Sequence, residues 1–148
     1  MAGINRSAQA KWSGPVGSGQ GTISGESGAF TDLRYTFASR SADASSLTDP
    51  EELLASAHAG CFAMALSNEL TTAGLPPASL TVRATVTLAP TSRGRRITKS
   101  ELTIEGTFDE AVEQARFAEF VESADQRCPF SALIRTEGEV LVAKAIVV

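Results

Sequence analysis

The two cysteines, Cys61 and Cys128, are where this sequence could do chemistry. Their spacing is nothing like a C-x-x-C motif, so they can react together only if the fold brings them together. Three chemistries are then open: inert packing, a redox pair, or a metal site. Free cysteine is among the most buried residue types and often just fills volume. A metal site is poorly supplied, because structural zinc sites use four protein ligands and only His58 lies near either thiol in sequence.

The local surroundings of the two thiols differ. Cys128 directly precedes Pro129, a position that avoids the α region and suits a helix N-cap. A thiolate there gains from unpaired amides and the helix dipole, which lowers its pKa. Cys61 sits among Ala59, Gly60, Phe62 and Ala63, where desolvation disfavours a thiolate unless a cation reaches it. The residues alone therefore nominate Cys128 as the more reactive thiol. His58 lies one turn before Cys61 and could act as a base. The preferred reading is a buried, neutral histidine hydrogen-bonded to backbone or side-chain oxygen. Ser56, Ser67 and Ser131 lack any Ser-His-Asp or G-x-S-x-G context, so a hydrolase is poorly supported.

Cys61 is carried by a segment with a strong helix start. Thr48 or Asp49 can cap it, Pro50 suits the first helical position, and Glu51 and Glu52 favour the positive end of the dipole. From Leu53 to Asn68 the segment has no charged side chain if His58 is neutral, and its apolar and small residues run right round the cylinder. That pattern predicts a buried helix. It should end near Ala73-Gly74, before Pro76-Pro77. Glu51 precedes Cys61 by ten residues. In a continuous helix that is ~15 Å along the axis and ~1000° of rotation, leaving the side chains about 80° apart. Glu51 could serve a Cys61 thiol only from a second subunit or across a sharp break.

The other elements follow from period and punctuation. Residues 7–14 form a strand anchored by Trp12, Gly14 to Gly19 a turn, and Gln20 to Ser24 the return strand of a hairpin. Phe30 to Phe37 is a third strand with Leu33, Tyr35 and Phe37 on one face, and Arg40 to Leu47 is a loop leading to the helix. Leu80 to Leu88 alternates strictly as a strand, and a turn through Pro90 to Arg95 leads to its partner, Ile97 to Gly106. An amphipathic helix is expected from Asp109 to about Gln126, a short helix from Cys128 to Ile134, and a last strand from Glu139 to Val148. The order β-β-β-α-β-β-α-(α)-β lacks regular alternation and gives an α+β class with mainly antiparallel sheet around the central helix.

Composition bounds the function. A chain of 148 residues, 43% hydrophobic and 20% charged, fits one globular domain spanning residues 1–148. The net charge of −4 argues against a nucleic-acid partner, and Arg93, Arg95 and Arg96 beside Gly94 read as an exposed turn. The central segment is too short and too rich in Ser, His and Gly to span a membrane. Met1 to Arg6 has no apolar run of a secretory signal, so a cytoplasmic, reducing compartment is expected.

The sequence resembles the OsmC/Ohr family of thiol-dependent peroxidases that reduce organic hydroperoxides. The resemblance is carried by Thr48-Asp49-Pro50-Glu51-Glu52-Leu53-Leu54, by Ala57-His58-Ala59-Gly60-Cys61-Phe62-Ala63-Met64-Ala65-Leu66-Ser67 and by Cys128-Pro129-Phe130-Ser131. It extends to Ala10-Lys11-Trp12-Ser13-Gly14, Gly19-Gln20-Gly21-Thr22 and Glu26-Ser27-Gly28, nearly the whole chain. The paired glutamates and the histidine point to the OsmC branch. Asp49 stands where the family often has Asn, and Gly60 where Ala is usual.

The resemblance implies an OsmC-like fold in an intertwined homodimer with active sites at the subunit interface. It implies a peroxidatic cysteine at Cys61 and a resolving cysteine at Cys128. An activating arginine is expected at Arg40, with Arg34 as competitor, held by a carboxylate at Glu51. The implied activity is reduction of organic and, less efficiently, inorganic hydroperoxides in oxidative or osmotic stress defence. No metal or prosthetic group is implied. An external dithiol of dihydrolipoamide type would reopen the Cys61–Cys128 disulfide. The alternative within the same fold is a redox sensor or a binder of apolar ligands. The resemblance reverses the ranking of the two thiols, because the cation that Cys61 needs comes from far away in sequence.

Overall fold

The computed structural model describes residues 3–40 and 46–148. The part of the expected loop between Arg40 and Leu47 that spans residues 41–45 lies outside the described residues. The chain divides into two compact units, Met1–Leu53 and Leu54–Val148.

The first unit is a three-stranded antiparallel sheet of β1 (Ala8–Ser13), β2 (Gln20–Gly25) and β3 (Leu33–Thr36) in that order. Lys11, Thr22 and Arg34 stand side by side across it, and Trp12, Gly21 and Tyr35 form the next row. Successive rows face opposite sides, so Trp12 and Tyr35 share a face, with ring centroids 5.4 Å apart. Gly21 is needed between them, since a Cβ there would lie 2.4 Å from the Tyr35 ring. β3 begins three residues later than Phe30. Asp32 adopts a left-handed φ of 52° and donates its N–H to Ser24 Oγ at 3.0 Å, which bends the chain before pairing starts.

The 23-residue helix α1 (Pro50–Thr72) starts in the first unit and runs on into the second. Asp49 is its cap, with Oδ1 accepting the Glu52 N–H at 2.7 Å. It stops as expected: Gly74, at φ 77°, donates to Thr71 O, and Leu75 donates back to Leu70 O.

The second unit packs α1, α2 (Gln114–Arg127) and α3 (Pro129–Ile134) with a sheet ordered β4 (Ser79–Thr91), β5 (Gly94–Thr107), β6 (Glu139–Val147). The β4–β5 hairpin is longer than its alternation alone predicted, with the strands paired right up to Thr91 and Gly94. β6 pairs with β5 in parallel, a departure from the otherwise antiparallel pattern. A parallel partner requires a crossover, and α2 with α3 supplies it. α2 begins at Gln114 rather than Asp109. Gln114 donates to Ala145 O at 2.7 Å and accepts from Val147 N–H at 3.1 Å, so a tether to β6 sets where the helix starts.

The core of this unit is Phe62, Leu66 and Leu70 of α1, Leu102 and Ile104 of β5, and Phe117, Val121 and Ala124 of α2, closed by Cys128. Within the single chain α1 fully buries only the stripe His58, Phe62, Leu66 and Leu70. Met64, on another face, is 70% exposed.

Candidate active site

Cys61 lies three residues after His58 on α1, which turns its side chain away from the fully buried stripe and leaves it half-buried. Cys128 is fully buried at the joint between α2 and α3, where it ends one helix and caps the next in extended conformation. The expectation of an N-cap directly before Pro129 therefore holds. The fold packs Cys61 against the buried cluster that includes Cys128, which makes the two free thiols neighbours. Burial pushes the Cys61 thiol up, the neighbouring Cys128 thiol adds to that, and the nearby Phe130 amide pulls it down. None of these neighbours is a cation.

His58 is fully buried, with Nδ1 2.8 Å from Ser100 Oγ and Nε2 2.9 Å from Ser131 Oγ. One nitrogen of a neutral imidazole donates and the other accepts, and a serine hydroxyl can meet either need. Burial holds its pKa below the usual value, an effect that Asp125 opposes and Arg135 reinforces. This is the buried neutral histidine expected from the sequence. With both nitrogens engaged, it offers no lone pair to a metal. Among the described residues no group of three or more His, Cys, Asp or Glu could hold a metal ion.

The first unit presents a second constellation. Arg40 donates from Nε to Glu51 Oε2 at 3.0 Å and from Nη2 to Oε1, a two-point ion pair. Two parallel bonds fix the plane of a guanidinium as well as its position. The Glu51 hydrogen bond raises the pKa of Arg40 further above its already high value, burial works the other way, and the charges of Glu51 and Asp49 add to the rise. Thr48 positions the helix start by donating its N–H to Arg34 O at 3.2 Å, while Ser39 Oγ donates to Thr36 O at 2.8 Å to close the turn before Arg40. Arg34 itself stands in β3 across from Thr22. A hollow of about 320 Å3 beside Arg40 is lined by Trp12, Val16, Tyr35, Phe37 and Pro50.

The sequence reading passed over Ser100 and gave Ser131 no role. A signal existed for Ser100. Ser100 occupies the inward-facing row of β5 with Leu102 and Ile104, and a lone hydroxyl in such a row needs a polar partner. The Phe130 amide carried no signal in side-chain chemistry. Among the described residues no helix is long and apolar enough to cross a membrane.

A family model described as OsmC-like protein matches residues 42–142. The chain is 36% identical over 138 residues to peroxiredoxin OsmC of Escherichia coli K12, an alignment covering 90% of this chain and 92% of that protein. The same figures hold for peroxiredoxin OsmC of Shigella flexneri. The organic hydroperoxide resistance protein OhrB of Bacillus subtilis superposes with a TM-score of 0.73 at 21% identity, covering 93% of this chain and 97% of that one. An organic hydroperoxide resistance protein from Elizabethkingia anophelis reaches 0.76 at 22% identity, covering 98% and 99%. At these identities the two structures speak for the fold, while the family model and the 36% relatives speak for descent: this chain belongs to the OsmC family.

Proposed function

We infer that the protein is a thiol-dependent peroxidase that reduces organic hydroperoxides in stress defence, a reading supported by relatives named peroxiredoxin OsmC and by fold neighbours named organic hydroperoxide resistance proteins. The observation that carries this reading is the packing of Cys61 against the core cluster that holds Cys128, reached across 67 residues of sequence.

In the proposed cycle the Cys61 thiolate attacks the O–O bond of a hydroperoxide ROOH. The S–O bond forms as the O–O bond breaks, and with one proton taken up the products are Cys61 sulfenic acid and ROH. Cys128 then attacks the oxidised sulfur, forming the Cys61–Cys128 disulfide and releasing water. A dithiol reductant, such as a dihydrolipoamide, reduces that disulfide by exchange and is itself oxidised to a disulfide. The cycle uses no metal or prosthetic group, and a reducing, cytoplasmic compartment would supply the dithiol.

Cys61 needs a cation, since its surroundings within Leu54–Val148 hold the thiol up. Arg40 is the candidate, because it keeps its charge at any working pH and its pairing with Glu51 aims the guanidinium. Helix α1 is one unbroken element, and the ten residues from Glu51 to Cys61 span ~15 Å of its axis. We therefore assign Arg40 and Glu51 to the Cys61 of a second copy in an intertwined homodimer, with residues 1–148 acting as a single OsmC-like domain. The open face of α1 at Met64 and the exposed Trp12 and Phe37 support such a pairing. The apolar hollow beside Arg40 suits a hydrophobic hydroperoxide tail better than hydrogen peroxide.

The test is steady-state consumption of cumene and tert-butyl hydroperoxide with a dihydrolipoamide system. Catalytic turnover that is lost in Cys61→Ser is expected. An enzyme with no turnover on any peroxide, whatever the dithiol, would remove the reading.

A further inference from the structure

His58 is the single polar member of a fully buried stripe, His58, Phe62, Leu66 and Leu70, that α1 turns into the core. A polar ring at such a position is costly unless both nitrogens are matched. They are matched by two serines that are themselves fully buried, Ser100 of β5 and Ser131 of α3. The helix bearing Cys61, the helix capped by Cys128 and a core strand thus meet at one imidazole.

The spacing gives this contact a consequence. His58 lies one turn before Cys61 on α1, and Ser131 three residues after Cys128 on α3. The His58–Ser131 bond therefore runs beside the Cys61–Cys128 contact, about one turn away, between the same two elements. α3 has only six residues, too few to hold a helical shape unaided. Its far end is tied to α2 by the Arg135–Asp125 ion pair. Its near end is tied to α2 by the Cys128 N–H donating to Ala124 O at 2.9 Å, and to α1 by the Ser131–His58 bond.

We propose that His58 is a positioning residue: from its buried place on α1 it holds α3 through Ser131 so that Cys128 and the Phe130 amide stay against Cys61. The inference rests on the reading of Cys61 as peroxidatic and Cys128 as resolving. Its role falls in the second chemical step, where the Cys128 sulfur must reach the Cys61 sulfenic sulfur as hydroxide leaves and water forms. Holding the two sulfurs near attack distance raises that rate without any group touching substrate. Without the hold, sulfenic acid persists and meets a second hydroperoxide, which oxidises it to sulfinic acid with release of a second ROH.

Two serines give a controlled test, because each supplies one bond to His58 and only one of them is on α3. Full-length Ser131→Ala, Ser100→Ala and Ser131→Thr are reacted with two equivalents of cumene hydroperoxide and quenched over time. Sulfenic acid is trapped with dimedone and the products are weighed by mass spectrometry. Ser131→Ala is expected to form the disulfide at least tenfold more slowly, to trap more sulfenic acid and to yield more sulfinic acid. Its Cys61 thiol should also titrate higher, since the Phe130 amide is no longer held against it. Ser131→Thr, which keeps the hydroxyl, should restore most of the rate. Ser100→Ala should lose comparable stability yet keep the disulfide rate within about threefold of wild type.

Disulfide formation at the wild-type rate in Ser131→Ala, or equal slowing in both alanine variants, would overturn the inference. If Ser131→Ala does not fold, His58→Gln is read by the same partition between disulfide and trapped sulfenic acid, and an unchanged partition overturns it equally. Wild-type protein whose Cys61 is never oxidised would instead remove the peroxidase reading, and this inference with it.

Discussion

Arg40 grips Glu51 with two donors, Nε at 3.0 Å and Nη2 beside it, so the guanidinium plane is set by the first turn of α1. Such a pair can present a fixed positive charge to an anion without giving up its own proton. Removing either partner should therefore act on the thiol chemistry more than on folding, because the pair is partly exposed and contributes little to stability.

Arg40→Ala should slow oxidation of Cys61 by ~10²–10³-fold, the range for loss of one preorganised charged donor. Glu51→Gln, which leaves the guanidinium charged but less firmly aimed, should cost about tenfold. Single-turnover kinetics against pH separates the two. The apparent pKa of Cys61 should rise in Arg40→Ala, and an unchanged thiol titration would take Arg40 out of the mechanism in favour of Arg34.

Cys128→Ser should consume one equivalent of hydroperoxide and then stop. The product expected is Cys61 sulfenic acid, 16 mass units heavier by the one oxygen gained, and not a disulfide. Sustained turnover in this variant would mean that an external thiol, and not Cys128, resolves the intermediate.

His58 makes acid stability predictable in sign. Its folded pKa is lowered from 6.5 chiefly by burial, with Asp125 of α2 opposing and Arg135 after α3 reinforcing. Below the unfolded pKa the unfolded chain takes a proton that the folded chain refuses. Stability linked to this residue is therefore intact above about pH 6.5 and is lost as pH falls toward the folded pKa, by at most ~1.4 kcal/mol per pH unit. Urea melts at pH 7.5 and 5.5 should show a smaller drop for His58→Gln than for wild type. Equal drops would mean that His58 already takes its proton in the folded protein.

Phe62→Ala should destabilise by about 3–5 kcal/mol, since the side chain is fully buried in the core cluster with residues of β5 and α2. Met64→Ala, on the open face of the same helix, should cost far less in the isolated chain. If the homodimer forms, Met64→Asp should weaken it. Sedimentation reads that outcome, and an unaffected dimer would place the interface elsewhere.

Much of this was legible in the sequence because it is written in short-range rules. The cap at Asp49, the Gly74 stop and the N-cap at Cys128 before Pro129 follow from local chain geometry, and each stands where expected. What escaped depends on partners distant in the chain. The start of α2 is set by Gln114 reaching β6, and β6 lies parallel because of a crossover that no local pattern announces. The site divides the same way. Cys61, Cys128 and the neutral His58 could be picked out by residue type, whereas the meeting of His58 with Ser100 and Ser131 joins residues 42 and 73 positions apart. The uncharged segment from Leu53 to Asn68 predicted a helix buried on all sides, and in one chain it is buried on one.

The central claim is that Cys61 and Cys128 form a working redox pair, and their oxidation by a stoichiometric hydroperoxide tests it most directly. Wild-type protein treated with one equivalent of cumene hydroperoxide should lose both titratable thiols and two hydrogens of mass. A Cys61–Cys128 linked peptide should appear and then vanish on adding a dithiol, as turnover resumes. Two thiols still titratable and an unchanged mass would contradict the account and leave the cysteines as core filler.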